Sequence, residues 1–126
     1  MPRAPLALGA FASMLGFLGV ALAAASAHAG GNELARTASL FLLLHAAALL
    51  GVSAHARAAD STRALIGVGF ILGFGALLFS ADLASRAFLS ERLFPFAAPI
   101  GGSLMSLSWL AMAVAFFLSA VNAPRG

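Results

Sequence analysis

The feature that most constrains this chain is a series of four long apolar runs, each free of Asp, Glu, Lys and Arg. The runs cover residues 6–27, 37–54, 64–81 and 100–121. As helices they would be about 27–33 Å long, close to the ~30 Å thickness of the hydrocarbon core of a bilayer. Backbone N–H and C=O groups in hydrocarbon must be paired within the protein, and runs without apolar–polar alternation achieve this only as helices. The sequence therefore predicts an all-α integral membrane protein with a single domain, residues 1–126.

The composition excludes several other classes of protein. Hydrophobic residues make up 62% and charged residues 9% of the 126 residues, whereas soluble domains contain about 45–50% and about 25%. Seven Arg, no Lys and four acids are too few to cover the surface of a soluble fold. A soluble enzyme, a disordered tail and a nucleic-acid binder are therefore excluded. The lack of Cys also excludes disulfides, thiolate metal sites and c-type haem attachment.

The links between the runs predict the topology. They are short, at residues 29–36, 55–63 and 82–99, which favours an antiparallel up-down bundle of four transmembrane helices. Four spans put both termini on the side of the middle link. That side carries four Arg and one acid, namely Arg3, Arg57, Arg63, Arg125 and Asp60. The opposite side carries three Arg and three acids, namely Arg36, Arg86, Arg92, Glu33, Asp82 and Glu91. The small excess of Arg favours cytoplasmic termini.

A secretory signal sequence is an alternative interpretation of the first run. Ala27-His28-Ala29 resembles an A-x-A cleavage site. The run is longer than the apolar region of a usual signal, which is about 7–15 residues, and this favours a span. Removal of the run would leave three spans and separate the termini.

Small residues predict how the helices pack. Lipid tails are as apolar as Leu, so helix association in a membrane depends on close packing and interhelical hydrogen bonds. The third run contains a GxxxG pair, Gly69 and Gly73, and the fourth run begins near Gly101 and Gly102. We expect these glycines to line packing grooves inside the bundle. A homodimer face is the alternative.

Two polar side chains lie near the middle of their runs, His45 and Trp109. An ionisable residue at this depth usually faces the bundle interior or a wet cavity, and an indole N–H needs an acceptor. Counted from the same side, the two depths differ by only about 3 Å, so we expect one shared layer. A neutral His45 bonded to a backbone carbonyl or a Ser is favoured over a haem or metal ligand, because no second ligand lies at that depth.

A second polar cluster is predicted at the membrane end opposite the termini. Its members are His28, Glu33, Arg36, Asp82 and Arg86. Asp82 and Arg86 are four residues apart with the acid first, which favours a helical ion pair with Arg86 reaching the headgroups. The alternative is a polar pocket that also includes His28 and a turn at Gly101-Gly102. Residues 90–98 are expected to lie in the interface and to cover this end.

Four short motifs, in order, also resemble a known family. They are Ser26-Ala27-His28-Ala29, Leu44-His45-Ala46-Ala47-Ala48-Leu49-Leu50, Leu78-Phe79-Ser80-Ala81-Asp82-Leu83 and Ala98-Pro99-Ile100-Gly101-Gly102, with Trp109 following. The series resembles the YgdD/YwdK-like family of small bacterial inner-membrane proteins, a domain-of-unknown-function family with eukaryotic TMEM-type relatives. Leu44 stands where the family pattern has Tyr, so no Tyr–His pair is present. The resemblance implies the four-span fold and an inner-membrane location, and it implies no activity.

These observations favour a small non-enzymatic membrane component, with an accessory, assembly, or lipid- or partner-binding role and no cofactor. The expected partners are the lipid bilayer and a homo-oligomer or larger membrane complex, without nucleic acid. The alternative is a small oligomeric transporter or channel, proton- or ion-linked, that uses His28, His45, Asp82 and Arg86. An enzyme is disfavoured because no nucleophile–base pair, paired carboxylates or metal-ligand spacing is present. A wet cavity between His45 and the Asp82 end would favour transport, and a dry core would favour binding.

Overall fold

The computed structural model describes residues 3–28, 32–59 and 63–126, and within them the chain forms four long helices. The helices are α1 (Arg3–His28), α2 (Glu33–Ala58), α3 (Arg63–Leu89) and α4 (Ala97–Asn122). Each has 26 or 27 residues and is apolar enough to cross a membrane. At about 1.5 Å per residue the helices are about 39–40 Å long, which exceeds the ~30 Å hydrocarbon core. The predicted all-α membrane fold is confirmed.

The helices extend beyond the predicted apolar runs because their charged ends are also helical. Asn32 caps α2, its side-chain oxygen accepting hydrogen bonds from the N–H groups of Leu34 (3.0 Å) and Ala35 (3.3 Å). Glu33 in the first turn suits the positive end of the helix dipole. α3 continues past Asp82 as far as Leu89. The link predicted at residues 82–99 is therefore shortened to residues 90–96.

The helices pack as antiparallel neighbours in chain order, with an additional contact between α1 and α3. Gly19 of α1 faces Leu43 of α2, and Gly9 faces Ser53 towards the other end. Along their described lengths the backbone of α4 approaches neither that of α1 nor that of α2. The up-down bundle is therefore open between α1 and α4, and α4 is its least buried helix.

The main core cluster is apolar and continuous through the first three helices, and it includes Met105 and Met112 of α4. Its largest fully buried apolar side chains are Leu8 and Leu15 of α1, Leu49 of α2 and Leu72 of α3. Near the start of α1, the carbonyl of Pro5 accepts a hydrogen bond from the hydroxyl of Ser53 on α2 across 2.6 Å. This bond joins the beginning of α1 to the end of α2.

The bundle has two ends with different charges. Arg3, Arg57, Arg63 and Arg125 lie at the end that holds both termini, and Arg36, Arg86 and Arg92 lie at the other. Glu33, at the start of α2, and Arg63, at the start of α3, are therefore at opposite ends, as the topology requires. Asp60 and Ala29, the last residue of the A-x-A sequence, lie outside the described residues.

Candidate functional site

The structure brings together the two side chains that the sequence places in one layer. His45 is 6% exposed and lies on the inner face of α2. Its Nδ1 is 2.7 Å from the carbonyl oxygen of Phe41, one turn earlier. The indole Nε1–H of Trp109 on α4 donates to His45 Nε2 across 3.1 Å. A three-membered chain, Trp109 to His45 to Phe41, therefore crosses the middle of the bundle.

These two hydrogen bonds determine the tautomer of His45. An indole N–H is only a donor, so His45 Nε2 must be the unprotonated acceptor. A carbonyl oxygen is only an acceptor, so Nδ1 must carry the hydrogen. Both nitrogens of the imidazole therefore have partners within the chain. No ring nitrogen of His45 is left for a haem or a metal.

Aromatic rings surround this layer. Phe41 stacks on His45 with ring centroids 5.7 Å apart and an interplanar angle of 17°. Phe79 of α3 packs against Phe41, with ring centroids 4.8 Å apart. Trp109 meets His45 edge-on, with centroids 5.9 Å apart, and 47% of its surface is exposed to the membrane side. The layer thus joins α2, α3 and α4.

Asp82 occupies a different position from the one that the sequence predicts. Its side chain is fully buried on α3, and its Oδ1 accepts a hydrogen bond from the N–H of Leu93 across 2.9 Å. Within the described residues Oδ2 has no hydrogen-bond partner. The expected ion pair with Arg86 does not form, because the link folds over the carboxylate and supplies a backbone donor instead. This hydrogen bond could not be predicted from the sequence, where the only indication is an acid at the start of the predicted link.

Three other members of the predicted cluster, His28, Glu33 and Arg36, lie on the surface, and Arg86 of α3 is half-buried. Glu33 and Arg36 form an ion pair at 3.5 Å with both side chains largely exposed, a geometry that contributes little stability. His28 is exposed at the end of α1. Gly101 and Gly102 lie inside α4 and do not form a turn. The structure therefore does not join these residues with Asp82 in one polar pocket.

The link over Asp82 has a defined backbone. Ser90 and Phe96 adopt left-handed conformations, with φ of 58° and 67°. The hydroxyl of Ser85 donates to the carbonyl of Glu91 across 2.7 Å. Together with the bond from Leu93, this contact holds the link against the last turns of α3. The predicted interfacial segment, residues 90–98, is therefore shorter by Ala97 and Ala98, which are buried residues of α4.

The backbones of α3 and α4 approach each other closely at Gly101. A Cβ added at Gly101 would lie 2.7 Å from the backbone nitrogen of Phe79 and 2.8 Å from the carbonyl oxygen of Gly75. Only hydrogen atoms fit between the two backbones at this point. The sequence identifies Gly101 as a packing residue, and it gives no indication that Gly75 in the glycine-rich third run is its partner.

The GxxxG pair of α3 faces the bundle interior. A Cβ at Gly69 would meet the side chain of Leu8, and one at Gly73 would meet Phe11 and Leu49. Both glycines therefore form a packing groove within the chain, and the alternative of a homodimer face at this pair is not supported. Gly102 is peripheral, since the nearest atom to its Cβ position is 4.0 Å away on Phe79.

Three grooves lie on the outer surface of the described residues. One of about 630 Å³ borders the link between α3 and α4, and one of about 370 Å³ continues beside it along α4. A third, of about 410 Å³, runs between α2 and α4, from Trp109 towards the end of the bundle that holds the termini. Neither His45 nor Asp82 lines any of these three grooves.

Comparison with known proteins identifies a family but no function. No solved structure matches the chain. Residues 8–102 match a protein family described as "Protein of unknown function (DUF423)". The match runs from α1 into the first turns of α4, so it includes His45, Asp82 and the contact between Gly75 and Gly101, and it ends before Trp109. The chain, with its four helices apolar enough to cross a membrane, therefore belongs to the DUF423 family of proteins of unknown function.

Proposed function

We propose that this protein is a non-enzymatic component of the membrane that acts by binding lipid or partner helices, in an accessory or assembly role. The observation that carries the proposal is the state of His45. Both nitrogens of this central ionisable residue have partners inside the chain. A residue used in this way contributes to helix packing and has no free group for proton transfer or metal binding.

The distribution of grooves supports the same proposal. The three grooves described above are open to the outer surface, where lipid or another helix would lie. The interior near the termini is formed by apolar side chains such as Leu8 and Leu49. The buried Ser53 in that half donates its hydrogen bond to Pro5. A transport path would need polar groups along its whole length.

A small oligomeric transporter or channel, proton- or ion-linked, is the second candidate, and one observation favours it. Within the described residues Asp82 Oδ2 and the hydroxyls of Ser26 and Ser80 are buried without a hydrogen-bond partner. Buried polar atoms are usually paired, and exceptions often mark sites that bind an ion or a proton. These three residues all lie in the half of the bundle away from the termini, which would give such a path only one end.

We further propose a location and an orientation. The Arg excess at the end that holds the termini supports cytoplasmic termini. The motif series supports a place among the YgdD/YwdK-like proteins of the bacterial inner membrane, with eukaryotic TMEM-type relatives. The proposed partners are the surrounding lipid and a homo-oligomer or larger membrane complex, without nucleic acid.

Reconstitution into vesicles separates the two candidate functions. We expect vesicles with the purified protein to show no flux of protons, Na⁺ or K⁺ above protein-free vesicles. We also expect the protein from native membranes to retain lipid or a partner protein in a fixed molar ratio after detergent exchange. Flux that is lost in Asp82→Asn but kept in Glu33→Gln, an exposed acid at the same end, would overturn the proposal in favour of transport.

A further inference from the structure

We propose that the surface beside the α3–α4 link binds one phospholipid with an anionic headgroup. This inference rests on the proposed binding function and names the ligand class and the site. The phosphate would lie at Arg92, and one acyl chain would follow the outer face of α4.

The site consists of two grooves that meet. The larger is lined by Arg92, Leu93, Phe94, Pro95, Phe96 and Pro99. The smaller is lined by Phe96, Pro99, Ile100, Ser103, Leu104 and Leu107. Because Phe96 and Pro99 line both, the surface is continuous from the link to the middle of α4. Its lining is cationic at one end and almost entirely apolar beyond, which is the polarity of a phospholipid.

The length of the apolar part fits one leaflet. Between Pro99 and Leu107 the helix rises about 12 Å, and half of a hydrocarbon core is about 15 Å. Arg92 precedes this stretch in the link, at the membrane end that carries Glu33 and Arg36. A chain lying along α4 would thus stay in the leaflet whose headgroups surround Arg92.

The charge of the site selects an anion. Within the described residues Arg92 forms no ion pair, whereas Arg36 at the same end is paired with Glu33. No acid lines either groove. A guanidinium presents a planar fork of N–H donors that matches the oxygens of a phosphate. Arg92 is therefore a cation at headgroup level without a protein partner.

The walls of the site are formed in advance. The bond from Leu93 to Asp82 and the bond from Ser85 to Glu91 hold the link against α3. Phe96 keeps a left-handed backbone, with φ of 67°, and 70% of its side chain is exposed at the junction of the two grooves. A non-glycine residue in this conformation is strained and persists where surrounding contacts fix it. Preformed walls reduce the ordering cost of binding a ligand.

Native mass spectrometry of the purified protein with added lipid tests the site. We expect phosphatidylglycerol to bind in a one-to-one complex and several-fold more tightly than phosphatidylcholine. Arg92→Gln should weaken phosphatidylglycerol binding about tenfold, the loss expected for one charge-assisted contact. Ser103→Phe should obstruct the apolar groove and weaken binding of both lipids. Inorganic phosphate in large excess should not displace the lipid, which distinguishes a lipid site from a free-anion site.

Two matched variants control for charge and for bulk. Arg57→Gln removes an exposed cation at the opposite end, and Ser119→Phe adds the same ring to an exposed Ser away from the grooves. Both should bind lipid as the wild type does. If Arg92→Gln and Ser103→Phe bind like these controls, the site is wrong while binding elsewhere on the protein stands. If the wild type retains neither lipid nor a partner protein, the proposed function itself fails.

Discussion

The indole of Trp109 donates a hydrogen bond to His45 across 3.1 Å and thereby joins α4 to α2, two helices whose backbones do not approach each other. α4 also packs closely on α3, and its Phe116 meets the ring of His55 on α2 with centroids 5.1 Å apart. The bond from Trp109 adds a polar contact to this packing and helps to orient the least buried helix. Because lipid offers no competing acceptor, the indole N–H has a strong preference for this partner.

We expect the bond between Trp109 and His45 to contribute measurably to stability. In a double-mutant cycle with Trp109→Phe and His45→Phe, the coupling free energy should be about 0.5–1.5 kcal/mol, the range measured for interhelical hydrogen bonds in membranes. The free energy of unfolding in mixed micelles provides the measurement. The chain has one Trp, so the fluorescence of Trp109 in the His45→Phe variant reports on the site directly.

Phe117→Leu provides the control for this cycle, since Phe117 is an exposed residue of the same helix. Its effect should add to that of His45→Phe without coupling. Additive effects of Trp109→Phe and His45→Phe would contradict the bond.

The crossing of α3 and α4 predicts a strong difference between glycines. Gly101→Ala should destabilise the protein by about 1–3 kcal/mol, because the new Cβ would meet backbone atoms of Phe79 and Gly75, which cannot turn aside. Gly67→Ala should be neutral or slightly stabilising, because nothing lies within 4 Å of its Cβ position. Thermal unfolding in detergent measures both. Equal effects of the two substitutions would show that the backbones are not in contact there.

We expect Asp82 to hold the α3–α4 link in place by accepting the hydrogen bond from the N–H of Leu93. Asp82→Ala should leave the N–H of Leu93 without a partner and increase its hydrogen exchange several-fold, up to about tenfold, since a hydrogen bond contributes about 0.5–1.5 kcal/mol net. Asp82→Asn keeps an acceptor oxygen and should retain most of the protection. Mass spectrometry of exchange in residues 90–96 reads out the difference. Loss of protection in Asp82→Asn equal to that in Asp82→Ala would contradict a role as acceptor.

Features that depend on the length of each apolar run and on the rise per residue of a helix could be predicted from the sequence. Four helices follow from uncharged runs of membrane-spanning length. The shared layer of His45 and Trp109 follows from equal depth, because a fixed rise per residue converts position into height. Their hydrogen bond depends in addition on the rotation of the two helices. Both predictions need only the length of each helix and the order of the helices along the chain.

The parts that depend on how two elements meet could not be predicted. Gly75 and Gly101 touch because of the register and rotation of α3 against α4, and several other glycines were equally available in the sequence. Asp82 accepts from Leu93 because the link folds back, and the favourable i, i+4 spacing to Arg86 gives no indication of that competing donor. The exact helix ends were missed because charged residues remain helical where they reach the headgroups.

The topology predicts which introduced thiols share a membrane face. The chain contains no Cys, so single Cys substitutions provide unique labels. Glu33→Cys and Glu91→Cys should both react with a membrane-impermeant maleimide added outside intact spheroplasts. Arg57→Cys and Arg125→Cys should react only after lysis, because these residues lie at the end that holds the termini. Gel-shift of the labelled protein gives the readout, with reaction after denaturation as the control for each thiol. The reverse pattern would overturn the proposed orientation and keep the fold, whereas labelling of Glu33→Cys and Arg57→Cys from the same side would contradict an α2 that crosses the membrane.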